Sequence, residues 1–109
     1  LIRRTELAET ASTLAKKIRE NREMYDRVTD DINERMKTYV TDINSMSASI
    51  ASLNSEIAKI QASGENANDL MDHRDALLNT MSSIVGINVV QRPSGMVAVY
   101  IAGQPVVDD

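Results

Sequence analysis

Residues 43–60 read INSMSASIASLNSEIAKI, with apolar side chains at Ile43, Met46, Ile50, Leu53, Ile57 and Ile60. The steps alternate three and four, which lines one stripe of an α-helix and repeats every seven residues. Traced backwards, the stripe passes through Tyr39 and Met36, then Ile32, Val28, Tyr25, Asn21, Ile18, Leu14 and Ala11. Residues 1–63 contain neither Gly nor Pro, so no strong breaker interrupts it. The spacing predicts one helix over about 1–62, roughly 90 Å long at 1.5 Å per residue.

The stripe has one irregularity. Tyr25, Val28, Ile32 and Met36 are spaced three, four, four, and Arg35 stands where an unbroken heptad wants an apolar residue. Such a stutter locally unwinds a left-handed supercoil, so the helix is expected to run straight there or to change partners. Asn21 is polar at a seam position, where it sets register or faces water. Glu23–Arg27 and Asp31–Arg35 are favourable i,i+4 pairs worth about 0.2–0.5 kcal/mol each. The serines of residues 45–55 stay in step with the heptad and read as helix surface.

Ser63-Gly64-Glu65-Asn66 ends the pattern, with Gly64 suited to a left-handed helix end. A second helix is predicted over about 68–85, its apolar face formed by Leu70, Leu77, Leu78, Met81, Ile84 and Val85. The short loop makes it an antiparallel neighbour of the first helix. At about 27 Å it leaves the first helix uncovered from Leu7 to about Tyr39. That length needs another part of a parent chain or a second copy. Gly86 is expected to end the second helix.

Beyond Gly86 the period changes to two. Ile87, Val89 and Gln91 alternate with Asn88, Val90 and Arg92; Pro93-Ser94-Gly95 is a turn and residues 96–101 a second β-rich run. A further turn, Ala102-Gly103-Gln104-Pro105, leads to Val106-Val107, the start of a third strand. The expected fold is mainly α. A long heptad helix, a short loop and an antiparallel second helix (1–85, coiled-coil-like) precede a C-terminal β-hairpin (86–109) that opens a following β domain. The chain starts at Leu1 without Met and stops as this sheet begins, so it reads as a segment of a longer protein.

Composition narrows the chemistry. Apolar residues make up 42%, but the only aromatics are Tyr25, Tyr39 and Tyr100. The core must therefore be aliphatic and thin. The net charge is −4 with acids and bases interspersed, without the basic, aromatic-studded stripe of a nucleic-acid binder. The absence of cysteine rules out disulfides and thiolate chemistry. No apolar run approaches the 18 or so residues of a membrane span.

The densest charges lie in Ala67-Asn68-Asp69-Leu70-Met71-Asp72-His73-Arg74-Asp75, around the only histidine. Asn68 reads as an N-cap, and Asp69 and Asp72 as acids matched to the helix dipole. Asp69 and His73, four apart, are expected to touch. Arg74 is expected to lay its methylenes along the seam and direct its guanidinium to a carboxylate or a backbone carbonyl. The competing reading, a metal site from Asp69, Asp72 and His73, has too few nitrogen or sulfur ligands for zinc, and two of the three are adjacent on a helix. No Gly-x-Ser-x-Gly turn presents a nucleophile. Neither cofactor nor catalytic group is expected.

The order of elements carries a resemblance. Ile50-Ala51-Ser52-Leu53-Asn54-Ser55-Glu56-Ile57, a Gly-containing loop, then Asn68-Asp69-Leu70-Met71-Asp72-His73-Arg74-Asp75-Ala76-Leu77 and a Gly-turn hairpin resemble the flagellar hook-associated protein 1 family, the bacterial hook–filament junction protein. That family has segments of the form I-x-x-L-N-x-x-I and N-D-L-[LM]-D-x-R-D-x-L. The resemblance is best over residues 43–89. It implies an extracellular structural protein, exported through the flagellar type III apparatus, whose helical domain packs against neighbours in a short ring between hook and filament. The implied partners are other copies of the chain and the neighbouring hook and filament axial proteins. The family's terminal segments, which form an inner coiled-coil tube, are not in this chain, and a homo-oligomeric fragment is expected. The implied packing residues are Ile43, Met46, Ile50, Leu53, Ile57 and Ile60 against Leu70, Leu77, Leu78, Met81 and Ile84. Asn68, Asp69, Asp72, Arg74 and Asp75 fix the second helix. At position 73 the family more usually has Gln, which argues against a required imidazole. Set against this reading is a generic coiled-coil dimerisation module, which would need the heptads but not the N-D-L-x-D-x-R-D string.

Overall fold

The computed structural model describes residues 2–108. Two helices are followed by three strands: α1 (Ile2–Ala62), α2 (Asn68–Ile84), β1 (Asn88–Gln91), β2 (Val97–Ile101) and β3 (Gln104–Val107). Helix α1 is 61 residues long and runs unbroken through the stutter at Tyr25–Met36. Of the two expected i,i+4 pairs, Asp31–Arg35 closes at 3.1 Å and Glu23–Arg27 does not; Glu34 and Lys37 also pair, at 3.5 Å. All of these are solvent-exposed and contribute little to stability.

The chain ends α1 in a Schellman motif. Glu65 N–H donates to the Ile60 carbonyl (3.2 Å) and Gly64 N–H to that of Gln61 (3.1 Å), with Gly64 at φ +84°. The start of α2 corrects the sequence reading. Asn68 is already helical, and the cap position belongs to Ala67, which makes no side-chain capping bond. The polar service comes from Asn66, whose Oδ1 accepts from Asn68 N–H at 3.0 Å. The cap reading placed the Asx residue two positions late because both asparagines precede the apolar run. The other end is corrected too. Val85 is already extended (φ −147°), and its N–H bonds to the Met81 carbonyl. The helix therefore stops before Gly86.

Contacts divide the chain into a unit up to Thr38 and a second from Tyr39 onward. The first is a stretch of α1 alone, and its seam residues Leu7, Leu14, Ile18, Tyr25, Val28, Ile32 and Met36 are all exposed.

The second unit holds the core. Ile50 and Met81 pack with Val97, Val99 and Val107 of the sheet, flanked by Met46, Leu77, Leu78, Val85 and Ile87. Leu53, Ile57 and Ala67 form a second cluster with Ile60, Leu70, Met71 and Leu77. Early α2 residues thus meet late α1 residues, and late α2 meets Met46 and Ile50, the order of an antiparallel pair. Ile50, Ile57, Met81, Val99 and Val107 are fully buried, each worth about 1.5–3 kcal/mol. Ser47, expected on the helix surface, is buried, and its hydroxyl makes no hydrogen bond.

The sheet is antiparallel in the order β1-β2-β3, with Val89 opposite Val99 and Val99 opposite Val107. A bulge between Val99 and Tyr100 shifts the β2–β3 register. The third strand is full, not merely begun. Its tight turn is Ala102-Gly103, both at positive φ (50° and 79°), as the right-handed twist of a two-residue hairpin requires. A three-stranded sheet of this size is marginal alone, and the buried β2 valines rest it on the helices.

Candidate functional site: a polar lock between helices and sheet

Two polar side chains sit inside this apolar packing. Asn54 follows Leu53 on the helix, so it lies beside the seam and not on the outer face. There it meets the start of β2. Its Nδ2 donates to the Val97 carbonyl at 2.7 Å, and its Oδ1 accepts from Val97 N–H at 3.1 Å. The carboxamide thus stands in for a peptide group and forms a two-bond ring with the strand.

That position takes up the side of Val97 turned away from β1. Peptide groups alternate sides along a strand. The Met96 carbonyl accepts from Arg92 on the β1 side, so Val97 and Val99 turn theirs toward β3. Val99 pairs with Val107. Both of the Val97 groups on that side are held by the Asn54 carboxamide.

Arg74 completes the lock from α2. It is 3% exposed. Its Nη1 donates to Asn54 Oδ1 at 3.0 Å and to the Gly95 carbonyl at 2.8 Å. One cation therefore ties α2 to α1 and to the hairpin turn. Burial pushes its pKa below the ordinary arginine value, and the adjacent Asp75 carboxylate pulls it back up. Nε is buried without a hydrogen-bond partner. A buried cation that meets only neutral acceptors is expensive unless geometry fixes it. Here it is spent on aligning three segments.

The turn is shaped to fit. Gly95 has φ +88°, and its N–H closes on the Arg92 carbonyl at 3.1 Å. Where a Cβ would stand on Gly95, the Gln61 carboxamide already sits. Gln61 Nε2 in turn approaches Met71 Sδ at 3.7 Å.

Of the seam residues singled out from sequence, Ile50, Leu53, Ile57 and Met81 are buried; Ile43, Met46, Ile60, Leu70, Leu77, Leu78 and Ile84 are half-buried. Asn68, Asp69, Asp72 and Asp75 are exposed, so of the charged string only Arg74 enters the interior. It bonds to a backbone carbonyl and an amide, not to a carboxylate. His73 is exposed, and no hydrogen bond or ion pair joins it to Asp69, contrary to expectation. No cluster of three His, Asp or Glu suited to a metal occurs among the described residues. Among them, too, no helix is long and apolar enough to cross a membrane. Sequence reasoning missed Asn54 and Gly95. The available signal was a polar residue set between Leu53 and Ile57 inside the motif that carried the resemblance.

The family model of the flagellar hook-associated protein FlgK helical domain matches residues 1–109. The chain belongs to this family. It is 37% identical over 68 residues to flagellar hook-associated protein 1 of Bacillus subtilis, covering 62% of this chain and 13% of that protein. It is 35% identical over 66 residues to the Salmonella typhimurium protein of the same name, covering 59% and 12%. The flagellar hook junction protein FlgK from Burkholderia pseudomallei superposes with a TM-score of 0.66 at 35% identity, covering 72% of this chain and 14% of that one. The chain thus spans roughly an eighth of these relatives. As a FlgK helical domain it carries the long helix, the helical return and the locked sheet.

Proposed function

We propose that this chain is a packing segment of a flagellar junction protein, joining hook to filament by surface complementarity and without catalysis. The lock carries the reading. Four hydrogen bonds through Asn54 and Arg74 fix a small sheet on a helical hairpin, a use of buried polarity that favours one rigid arrangement over activity. The exposed apolar stripe from Leu7 to Met36 suits a domain whose helix is covered in an assembly. Its partners are other copies of the same protein and the axial proteins on either side. Its location is the extracellular appendage, reached by export. In a packing protein of this kind Ile43, Met46, Ile50, Leu53, Ile57 and Ile60 serve against Leu70, Leu77, Leu78, Met81 and Ile84. The exposed Asn68, Asp69, Asp72 and Asp75 keep the start of α2 polar.

Complementation tests the reading. A full-length parent gene, expressed in a strain lacking its hook–filament junction protein, is expected to restore retained filaments. The same gene carrying Arg74→Ala is expected to restore them poorly. Filaments shed as in the uncomplemented strain, with the wild-type protein exported and stable, would overturn it.

A further inference from the structure

The two edges of the sheet are not alike. On β3 the outer edge carries Pro105, which has no N–H to donate. Proline is an ordinary way of blunting an edge. β1 is as short as β3, at four residues, but no proline lies within it. Asn88, Val89, Val90 and Gln91 hold no charge and no proline, and all four are exposed.

The register shows which groups are open. Arg92 N–H bonds inward to the Met96 carbonyl, and the β1–β2 pairing runs without a shift from Gln91↔Val97 to Asn88↔Tyr100. By alternation, Asn88 and Val90 turn their peptide groups to β2, and Val89 and Gln91 turn theirs outward. No described residue hydrogen-bonds to those outward groups. Val89 and Val90 expose apolar side chains on opposite faces of the same edge.

We propose that the outer edge of β1 is a strand-addition site. Its occupant is a strand of the same polypeptide from outside residues 1–109. Size decides the source. Two outward residues offer four hydrogen-bonding groups and a pair of valines. That is far short of the roughly 1,000 Å² a freely diffusing partner needs. A tethered strand meets its site at an effective concentration near the millimolar range, and a small edge then suffices. Relatives of the chain are about eight times the length of the segment matched here, which leaves ample polypeptide to supply it. Pairing to Val89 and Gln91 would make the sheet four-stranded, with the blunted β3 as its remaining edge on that side of the fold.

Hydrogen exchange over β1, resolved to single amides by mass spectrometry, tests this. It compares the 109-residue chain with the full-length protein, each below the concentration at which it associates. The amides of Val89 and Gln91 are expected to exchange freely in the short chain and to be protected at least tenfold in the full-length monomer. Equal, fast exchange in both would overturn the proposal. So would protection that appears in the short chain only as concentration rises, which would assign the edge to a second copy. The result is independent of filament retention, so it separates from the junction reading.

Discussion

The side chain of Asn54 pairs with the backbone of Val97, 43 residues away, through a donor at 2.7 Å and an acceptor at 3.1 Å. Only a carboxamide presents both groups at that spacing. Asn54→Asp keeps the shape and gives Arg74 a carboxylate, yet it sets a second acceptor against the Val97 carbonyl. An unmade buried hydrogen bond costs about 1–3 kcal/mol. The variant is therefore expected to lose about that much despite the new ion pair, and urea unfolding followed by circular dichroism would register it. Equal or greater stability would mean that the ion pair, not the strand-like pairing, governs the site.

Arg74 links the same amide to the Gly95 carbonyl. Its pKa is lowered by burial, so the charged form is disfavoured on folding. That cost is present at every pH below the folded value and is relieved only as pH rises through it. Both bonds leave Nη1, and the ammonium of Arg74→Lys, on a side chain one bond shorter, stops short of that position, so the variant is expected to lose about 1–3 kcal/mol at neutral pH. A lysine in this position is desolvated in the same way, and its folded pKa falls below its unfolded one. Its stability should then rise with pH between those two values. The gap between the lysine variant and the parent narrows from pH 7 to 10, measured by denaturation at each pH. A constant gap would contradict a buried, desolvated position.

Much of this fold is written in periodicity. The three–four spacing from Ile43 to Ile60 gave α1, Gly64 its end, and the change to period two at Ile87 the sheet. What was not legible rests on tertiary contact. Local spacing cannot tell that Asn54 and Val97 will meet, because the bond spans both a helix and a turn. It also ranks Asn68 above Asn66 as a cap, since an asparagine at either position can accept from one of the first N–H groups of the helix. The charges of residues 67–75 drew attention by density, yet all but Arg74 lie in water.

The Asn66–Asn68 assignment makes a paired prediction. Asn66 Oδ1 accepts from Asn68 N–H, one of the orphan donors of α2. Asn66→Ala is expected to cost about 1 kcal/mol, as loss of a helix-terminal side-chain acceptor does. Asn68→Ala, which removes an exposed side chain without a capping bond, should change stability by less than about 0.5 kcal/mol. Thermal melts of the two variants side by side decide between them. The reverse order would restore Asn68 as the cap.

Ala102 holds φ 50° in the turn between β2 and β3. A left-handed conformation costs a Cβ-bearing residue about 1–2 kcal/mol, and asparagine tolerates it better. Ala102→Asn creates the Asn-Gly pair favoured in two-residue hairpins. It is expected to stabilise the chain by about 0.5–1 kcal/mol, read as a higher urea midpoint at unchanged slope. A lower midpoint would show that the turn is held in another geometry.

The exposed stripe of α1 gives the last prediction. Ile18 and Val28 touch no core cluster and are more than half exposed. Replacing both by lysine therefore removes no packing from the core, and the unfolding of the Tyr39-onward unit should move by less than about 0.5 kcal/mol. Their spacing on the heptad still makes them a seam that favours association over exposure to water. Sedimentation velocity of the unmodified chain at rising concentration is expected to show self-association, and Ile18→Lys with Val28→Lys to abolish it. A chain that stays monomeric at millimolar concentration would sink the seam as a self-association surface. Association that survives both lysines would move it elsewhere on the molecule.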